Sequence, residues 1–155
     1  MVQDGDKAPD FELPAESGAT VELLRLKGKP VVLYFYPKDD TAGCTVEAKD
    51  FTRLASDFRK AGVEVIGVSP DTVASHARFR KKYDLAVTLA VDADKTVANA
   101  YGVWFEKSMY GRRYMGVERS TFLIDGKGRI ARSWRKVKVA GHADEVLEAA
   151  RALAK

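Results

Sequence analysis

The chain has one cysteine and two histidines among its 155 residues. With a single sulfur no internal disulfide can form, so the fold is expected to hold without covalent staples and the cytosol is the expected compartment. Cys44 with His76 and His142 is too sparse and scattered a donor set for a structural zinc site. Long apolar runs are also missing. The longest, Val31–Tyr36, falls far short of the ~20 residues that cross a bilayer, so no membrane segment is expected and the run suits a buried strand. The opening Met1-Val2-Gln3-Asp4-Gly5-Asp6 carries acids where an export signal needs basic residues and then an apolar stretch, so no export signal is expected. Repeats, low-complexity tracts and Pro/Ser-rich linkers are absent, and the glycines assemble no phosphate loop. No metal, haem, flavin or nucleotide cofactor is therefore expected.

What is present is an ordinary globular balance, 46% apolar and 31% charged, at a length that fits one domain over residues 1–155. The net charge of +4 is unevenly placed: ten Lys/Arg lie between Lys107 and Lys138 against Glu118 and Asp125. No nucleic-acid motif accompanies that stretch, which reads as a solvated basic face favouring anionic partners rather than nucleic acid.

The chain alternates strand and helix signals. Phe11–Leu13 and Val21–Leu24 flank Ser17-Gly18 as an N-terminal hairpin, and Gly28-Lys29-Pro30 precedes the strong strand Val31–Tyr36. After Pro37 a polar loop leads to a helix starting near Cys44, whose apolar face is Phe51, Leu54, Ala55 and Phe58 and which stops by Gly62. Val63–Val68 is a second strand. Ser69-Pro70-Asp71-Thr72 caps a helix to about Tyr83, and a short helix spans Lys95 to Tyr101 with Asp94 as cap and Gly102 as stop. Thr121–Ile124 and Ile130–Arg135 flank the hairpin turn Asp125-Gly126-Lys127-Gly128, and a last helix from His142 buries Val146, Leu147, Ala150 and Leu153. This order predicts an α/β chain with a mixed central β-sheet covered by helices on both faces, in the manner of a thioredoxin-like fold.

The helix reading places Cys44 in a first turn, where unpaired backbone N–H groups and the positive end of the dipole favour a thiolate. A structural cysteine would sit on the apolar stripe, which begins later. In the preceding loop Pro37 shapes the strand exit, Thr41 offers a hydroxyl or a helix cap, and Gly43 lets backbone approach a ligand. His76 and His142 have no catalytic partner in sequence and are read as surface residues; Trp104 and Trp134 are read as core or edge aromatics.

Pro37-Lys38-Asp39-Asp40-Thr41-Ala42-Gly43-Cys44 resembles the Pro-x-x-x-Thr-x-x-Cys signature of peroxiredoxins. Gly5–Phe11, Val32–Asp39 and Tyr114–Asp125 resemble the bacterioferritin comigratory protein, or peroxiredoxin Q, subfamily, so the likeness spans nearly the whole chain. It implies that Cys44 is the peroxidatic nucleophile, that Thr41, Arg119 and the backbone about Gly43 and Cys44 hold the peroxide oxygens, and that Pro37 shields the pocket. Glu47 resembles the acid that orients the arginine; on residue type alone it is equally a first-turn Glu favoured by the dipole. Two departures stand out. Lys49 occupies the place where many relatives carry a resolving cysteine, and the later helix that holds it in others has residues such as Phe79 and Arg80 instead. Ala42 replaces a common proline.

The resemblance implies a one-cysteine thiol peroxidase that reduces hydrogen peroxide and organic hydroperoxides through a sulfenic acid, recycled by an external thiol such as glutathione, glutaredoxin or thioredoxin, and working as a monomer or small homodimer. A disulfide exchanger lacks its Cys-x-x-Cys pair here, and a glutathione-peroxidase-like enzyme lacks its companion motifs. A redox sensor or holdase would use Cys44 as a switch; repeated turnover with added thiol distinguishes the two classes.

Overall fold

The computed structural model describes residues 2–154. Its centre is a five-stranded sheet with order β5-β4-β3-β8-β9, built from β3 (Val31–Phe35), β4 (Glu64–Ser69), β5 (Thr88–Val91), β8 (Ser120–Ile124) and β9 (Ile130–Trp134). β3, β4 and β5 run parallel, which requires crossovers, and these are helical. β8 and β9 join antiparallel through the expected turn, where Asp125 Oδ1 accepts from the backbone N–H groups of Lys127 and Arg129. Two smaller ladders stand apart: β1 (Glu12–Pro14) with β2 (Thr20–Glu22), and β6 (Trp104–Met109) with β7 (Arg112–Val117).

Strand alternation divides the core in two. On one face Val32 and Tyr34 pack against α1 (Ala42–Arg53), α2 (Ala55–Lys60), α3 (Val73–Tyr83) and α5 (His142–Ala154) through Phe51, Phe58, Phe79, Val146, Leu147 and Ala150. On the other, Val31, Leu33 and Phe35 meet Phe11, Leu13 and Leu23 of the N-terminal segment, together with Val97 and Ala98 of α4 (Thr96–Ala100). Both faces carry helix, although the second is covered by short pieces, α4 and a 3-10 turn at Leu23–Leu26, with the N-terminal hairpin. All five residues of β3 are buried, as a central strand requires, which accounts for its unbroken apolar run.

Four details differ from the sequence reading. The helix expected from Cys44 to Gly62 is interrupted at Leu54, with φ −95° and ψ 4°, between α1 and α2. α4 is capped from a distance by Asp92, whose carboxylate accepts from Val97 N and Ala98 N, whereas Asp94 accepts only from Thr96 N. β5 and the β6–β7 hairpin have no counterpart in the reading. His76 and His142 are both buried rather than on the surface.

Candidate active site

The loop between β3 and α1 carries Pro37, half-buried, and Thr41, exposed, and a buried polar network holds it in place. Asp39 is its hub. Tyr36 Oη donates to Asp39 Oδ1 at 2.6 Å, while Ser75 Oγ donates to Asp39 Oδ2 at 2.8 Å and His76 Nδ1 lies 2.6 Å from the same oxygen. Asp39 N donates to Asp71 Oδ2 at 2.8 Å, and Ser69 Oγ donates to that oxygen as well. His76 Nε2 faces the Ala90 carbonyl at 2.9 Å. A carbonyl only accepts, and an ionised carboxylate only accepts, so both ring nitrogens carry protons and His76 is a buried imidazolium. Burial opposes that charge; the hydrogen bond and charge of Asp39 outweigh it and raise the ring above its ordinary value. The next residue, Asp40, adopts a left-handed φ of 58° and is fixed by Lys82 Nζ and Tyr83 Oη.

Side-chain ligand atoms of Asp39, Asp71 and His76 lie within 4.8 Å of one another, a spacing a cation could use. Protein donors already occupy the facing oxygens, and a protonated imidazole is no ligand. The grouping is a pin for the loop.

Cys44 lies in the first turn of α1, as expected, and is 1% exposed. The first i→i−4 bond of that turn runs from Thr45 N to Thr41 O, so the N–H groups of Ala42, Gly43 and Cys44 precede any intrahelical acceptor. Arg119, in the two-residue link between β7 and β8, reaches across: Nη2 donates to Cys44 Sγ at 3.3 Å and Nη1 to Glu47 Oε1 at 2.7 Å. Its own carbonyl accepts from Val137 N, anchoring the link at 3.0 Å. Gly43 makes room for this guanidinium, since a Cβ there would sit 3.1 Å from Arg119 Nη2.

Glu47, one turn after Cys44, is 1% exposed, and its Oε2 has no hydrogen-bond partner among the described residues. Burial pushes its carboxyl up and the Arg119 guanidinium pulls it back; the balance falls at about 7. Thr41 occupies the N-cap position but makes no side-chain cap bond. Its Oγ1 donates instead to Lys38 O at 2.8 Å, which leaves the oxygen able to accept from an incoming donor. Tyr34, stacked on Phe51 at 4.7 Å, belongs to the same core cluster as Cys44, and burial drives its phenol well above the ordinary value. His142 lies within the same core face, with Nε2 2.8 Å from Thr121 Oγ1; burial lowers it to about 4, so it is neutral at neutral pH.

Cys44, Gly43, Glu47 and Arg119 thus come together at the start of α1, while Thr41 stands at its N-cap with its hydroxyl on Lys38 O and Pro37 opens the preceding loop. Asp39, Asp71 and His76 were not foreseen. Asp39 stands in the loop signature, but nothing in the sequence joins it to a histidine in the next crossover.

Comparison with known proteins finds that the AhpC/TSA family model matches residues 5–133. Peroxiredoxin Bcp of Bacillus subtilis (strain 168) is 49% identical over 147 residues, covering 95% of this chain and 94% of that protein. A Xanthomonas campestris bacterioferritin comigratory protein, solved in a study of its alkyl peroxide reduction activity, superposes with a TM-score of 0.89 at 46% identity, covering 94% of this chain and 92% of that one. A Xylella fastidiosa PrxQ cysteine-to-serine variant gives a TM-score of 0.94 at 38% identity, covering 100% and 99%.

Proposed function

This chain belongs to the AhpC/TSA family, as a peroxiredoxin of the Bcp/PrxQ kind, and from that premise we propose how its single sulfur works. The chain is a thiol-dependent peroxidase that reduces peroxide through a cysteine. Cys44 is that cysteine. The observation that carries the assignment is the 3.3 Å approach of Arg119 Nη2 to its sulfur at the open end of α1.

The thiolate attacks the near peroxide oxygen, forming an S–O bond as the O–O bond breaks; sulfur loses two electrons and the leaving oxygen gains them. That oxygen takes up a proton and departs as water or alcohol, leaving a Cys44 sulfenic acid. Arg119 and the N–H groups of Gly43 and Cys44 offset the charge that builds on the peroxide oxygens, in a pocket where such donors need no reorganisation. Thr41 Oγ1 accepts a hydrogen bond from the bound hydroperoxide, Pro37 shields the pocket, and Glu47 orients the guanidinium through its 2.7 Å bond.

Recycling needs a second sulfur from outside, because the chain has only one. An external thiol attacks the sulfenic acid, giving a mixed disulfide and water, and a further thiol releases Cys44. Glutathione, glutaredoxin and thioredoxin supply suitable thiols, and the alkyl peroxide activity of the Xanthomonas relative supports organic hydroperoxides beside hydrogen peroxide as substrates. Residues 1–155 act as one catalytic domain, cytoplasmic, as a monomer or small homodimer. No helix among the described residues is long and apolar enough to cross a membrane.

Intact-mass measurement after one equivalent of peroxide tests this reading. The expected product carries one added oxygen on Cys44, converts to a thiol adduct when glutathione or thioredoxin is supplied, and returns to the starting mass with a second thiol. Withheld reductant leads to a second added oxygen as sulfinic acid. Full turnover with no adduct and no external thiol overturns the scheme.

A further inference from the structure

Cys44 is 1% exposed, yet an outside thiol must reach it, so the surface beside its pocket bears on the reductant. That surface is the β6–β7 hairpin. Its return strand ends at Val117, two residues before Arg119, and six residues per strand at ~3.4 Å each carry its tip about 20 Å away. Of the exposed large apolar side chains among the described residues, four belong to it: Met109 (54% exposed), Tyr110 (98%), Tyr114 (43%) and Met115 (50%). A fifth, Val46, lies two residues after Cys44 at 49%. Soluble chains seldom gather such groups on one arm without a partner, and Tyr, Met and Arg are the residue types enriched in interface cores.

Register orders these groups. Lys107 pairs with Tyr114 and Met109 with Arg112, so all four share one face of the ladder. The Lys107 aliphatic chain lies across Gly116, where a Cβ would meet its Cδ at 3.2 Å, and its ammonium donates to Val117 O. Lys107 is half-buried and bonded to Val117, two residues before Arg119, so this face starts beside Arg119 and runs to the tip. Arg112 and Arg113 are exposed, and the hairpin's one acid, Glu106, is engaged by Arg113 at 3.5 Å. The arm is thus cationic and aromatic.

We propose that the β6–β7 hairpin is the docking arm for the protein reductant, an acidic redoxin that places its thiol over the Cys44 pocket. The inference rests on the peroxidase reading and adds the partner's chemistry and its seat. On the face shared with Lys107, Tyr114 and, at the tip, Tyr110 supply rigid contact area, Met109 adapts to the opposing surface and Arg112 pairs with its carboxylates, while Arg113, on the other face with Met115, adds to the arm's positive field.

The test uses peroxide turnover with two reductants, an acidic thioredoxin and dithiothreitol, in wild type, Tyr114→Ala and the double variant Arg112→Glu/Arg113→Glu. The expected result is a KM for thioredoxin raised about tenfold or more in each variant, with turnover on dithiothreitol and the single-turnover oxidation by peroxide unchanged. In wild type, added salt raises the same KM, because exposed charge pairs are screened. The charge-reversed variant keeps the test open if Tyr114→Ala disturbs the hairpin, since both arginines are exposed. An unchanged thioredoxin KM in the charge-reversed variant, or no turnover of wild type with thioredoxin while dithiothreitol works, overturns the docking arm and leaves the peroxidase reading standing. Wild-type dimers in sedimentation that dissociate on charge reversal also overturn it, by assigning the arm to a second copy. Failure of wild type with both reductants defeats the peroxidase reading and the docking arm with it.

Discussion

Replacing Glu47 by glutamine separates the charge of this side chain from its shape. In the folded protein the carboxyl is held at about 7, against 4.5 for an unhindered glutamate, because burial disfavours the anion more than Arg119 favours it. The folded state therefore binds more protons than the unfolded state between those two values. Stability falls as pH rises through that window, by about 3 kcal/mol at most from the ratio of the two acidity constants. The side-chain amide introduced by Glu47→Gln would accept the same Arg119 hydrogen bond without titrating, so the variant is expected to gain on wild type by up to that amount between about pH 4 and pH 8. Urea unfolding at pH 5 and pH 8, compared at matched m-values, reads the difference. The same substitution removes the negative partner proposed to orient the guanidinium, and peroxide oxidation of Cys44 is expected to slow by about tenfold, which is the effect of ~1.4 kcal/mol on a barrier. A stability gap identical at both pH values refutes the buried-acid argument. A gap that opens with pH while the oxidation rate stays wild-type refutes the orienting role alone.

Arg119→Ala and Thr41→Val are each expected to slow the single-turnover oxidation of Cys44 by ~10²–10³ without loss of fold, the usual cost of one preorganised donor or acceptor; wild-type rates by stopped flow in folded variants would show that other groups bind the peroxide. Asp39→Asn leaves the His76 charge buried without its partner and is expected to destabilise by about 3–5 kcal/mol in denaturant melts. Because the folded His76 is raised above its ordinary 6.5, the stability from the pair is fully present below that pH and lost as pH rises through the folded value. The deficit of Asp39→Asn should accordingly be largest between about pH 5 and 6.5 and shrink at alkaline pH, and a deficit that grows with pH would contradict the imidazolium assignment.

Much of the sheet was legible because its strands announce themselves locally. Val31–Phe35 is a continuous apolar run bounded by Pro30 and Pro37, and the Asp125–Gly128 turn carries its own hydrogen-bonding side chain. β5 was not, since Leu85-Ala86-Val87-Thr88-Leu89-Ala90-Val91 mixes strong helix formers with β-branched residues and becomes a strand only through its parallel pairing with β4. The β6–β7 hairpin escaped for the opposite reason. Its exposed faces show no apolar alternation, and its turn residue Tyr110 adopts a φ of 52°, which its residue type does not advertise. His142 looked like a surface residue because it stands near a helix start, but its ring turns inward to Thr121 and is held neutral by burial.

The active site divides along the same line. The loop residues Thr41, Gly43 and Cys44 lie within four positions, and the helix phase that exposes backbone N–H groups at Cys44 can be read from the apolar stripe that follows. Arg119 arrives from 75 residues away and Glu47 meets it at a separation of 72, so their meeting depends on β8 lying beside β3 in the sheet. Family likeness, and not local physics, brought Arg119 to attention. Neither source reached the Asp39–His76 pair, because a buried charge is recognisable only with its partner, and that partner came from the crossover between β4 and β5. The consequence is mechanical as well as electrostatic. The loop before Cys44 is joined by Asp39 to α3, and Cys44 by Arg119 to the link after β7, so two distant segments fix the six residues from Asp39 to Cys44 at both ends. An exposed thiol on a loose loop would be oxidised by any route. Under the proposed mechanism, a thiol held between these two anchors meets a peroxide whose leaving oxygen Arg119 also stabilises, and this coupling of burial to orientation favours the peroxide reaction over less selective oxidation.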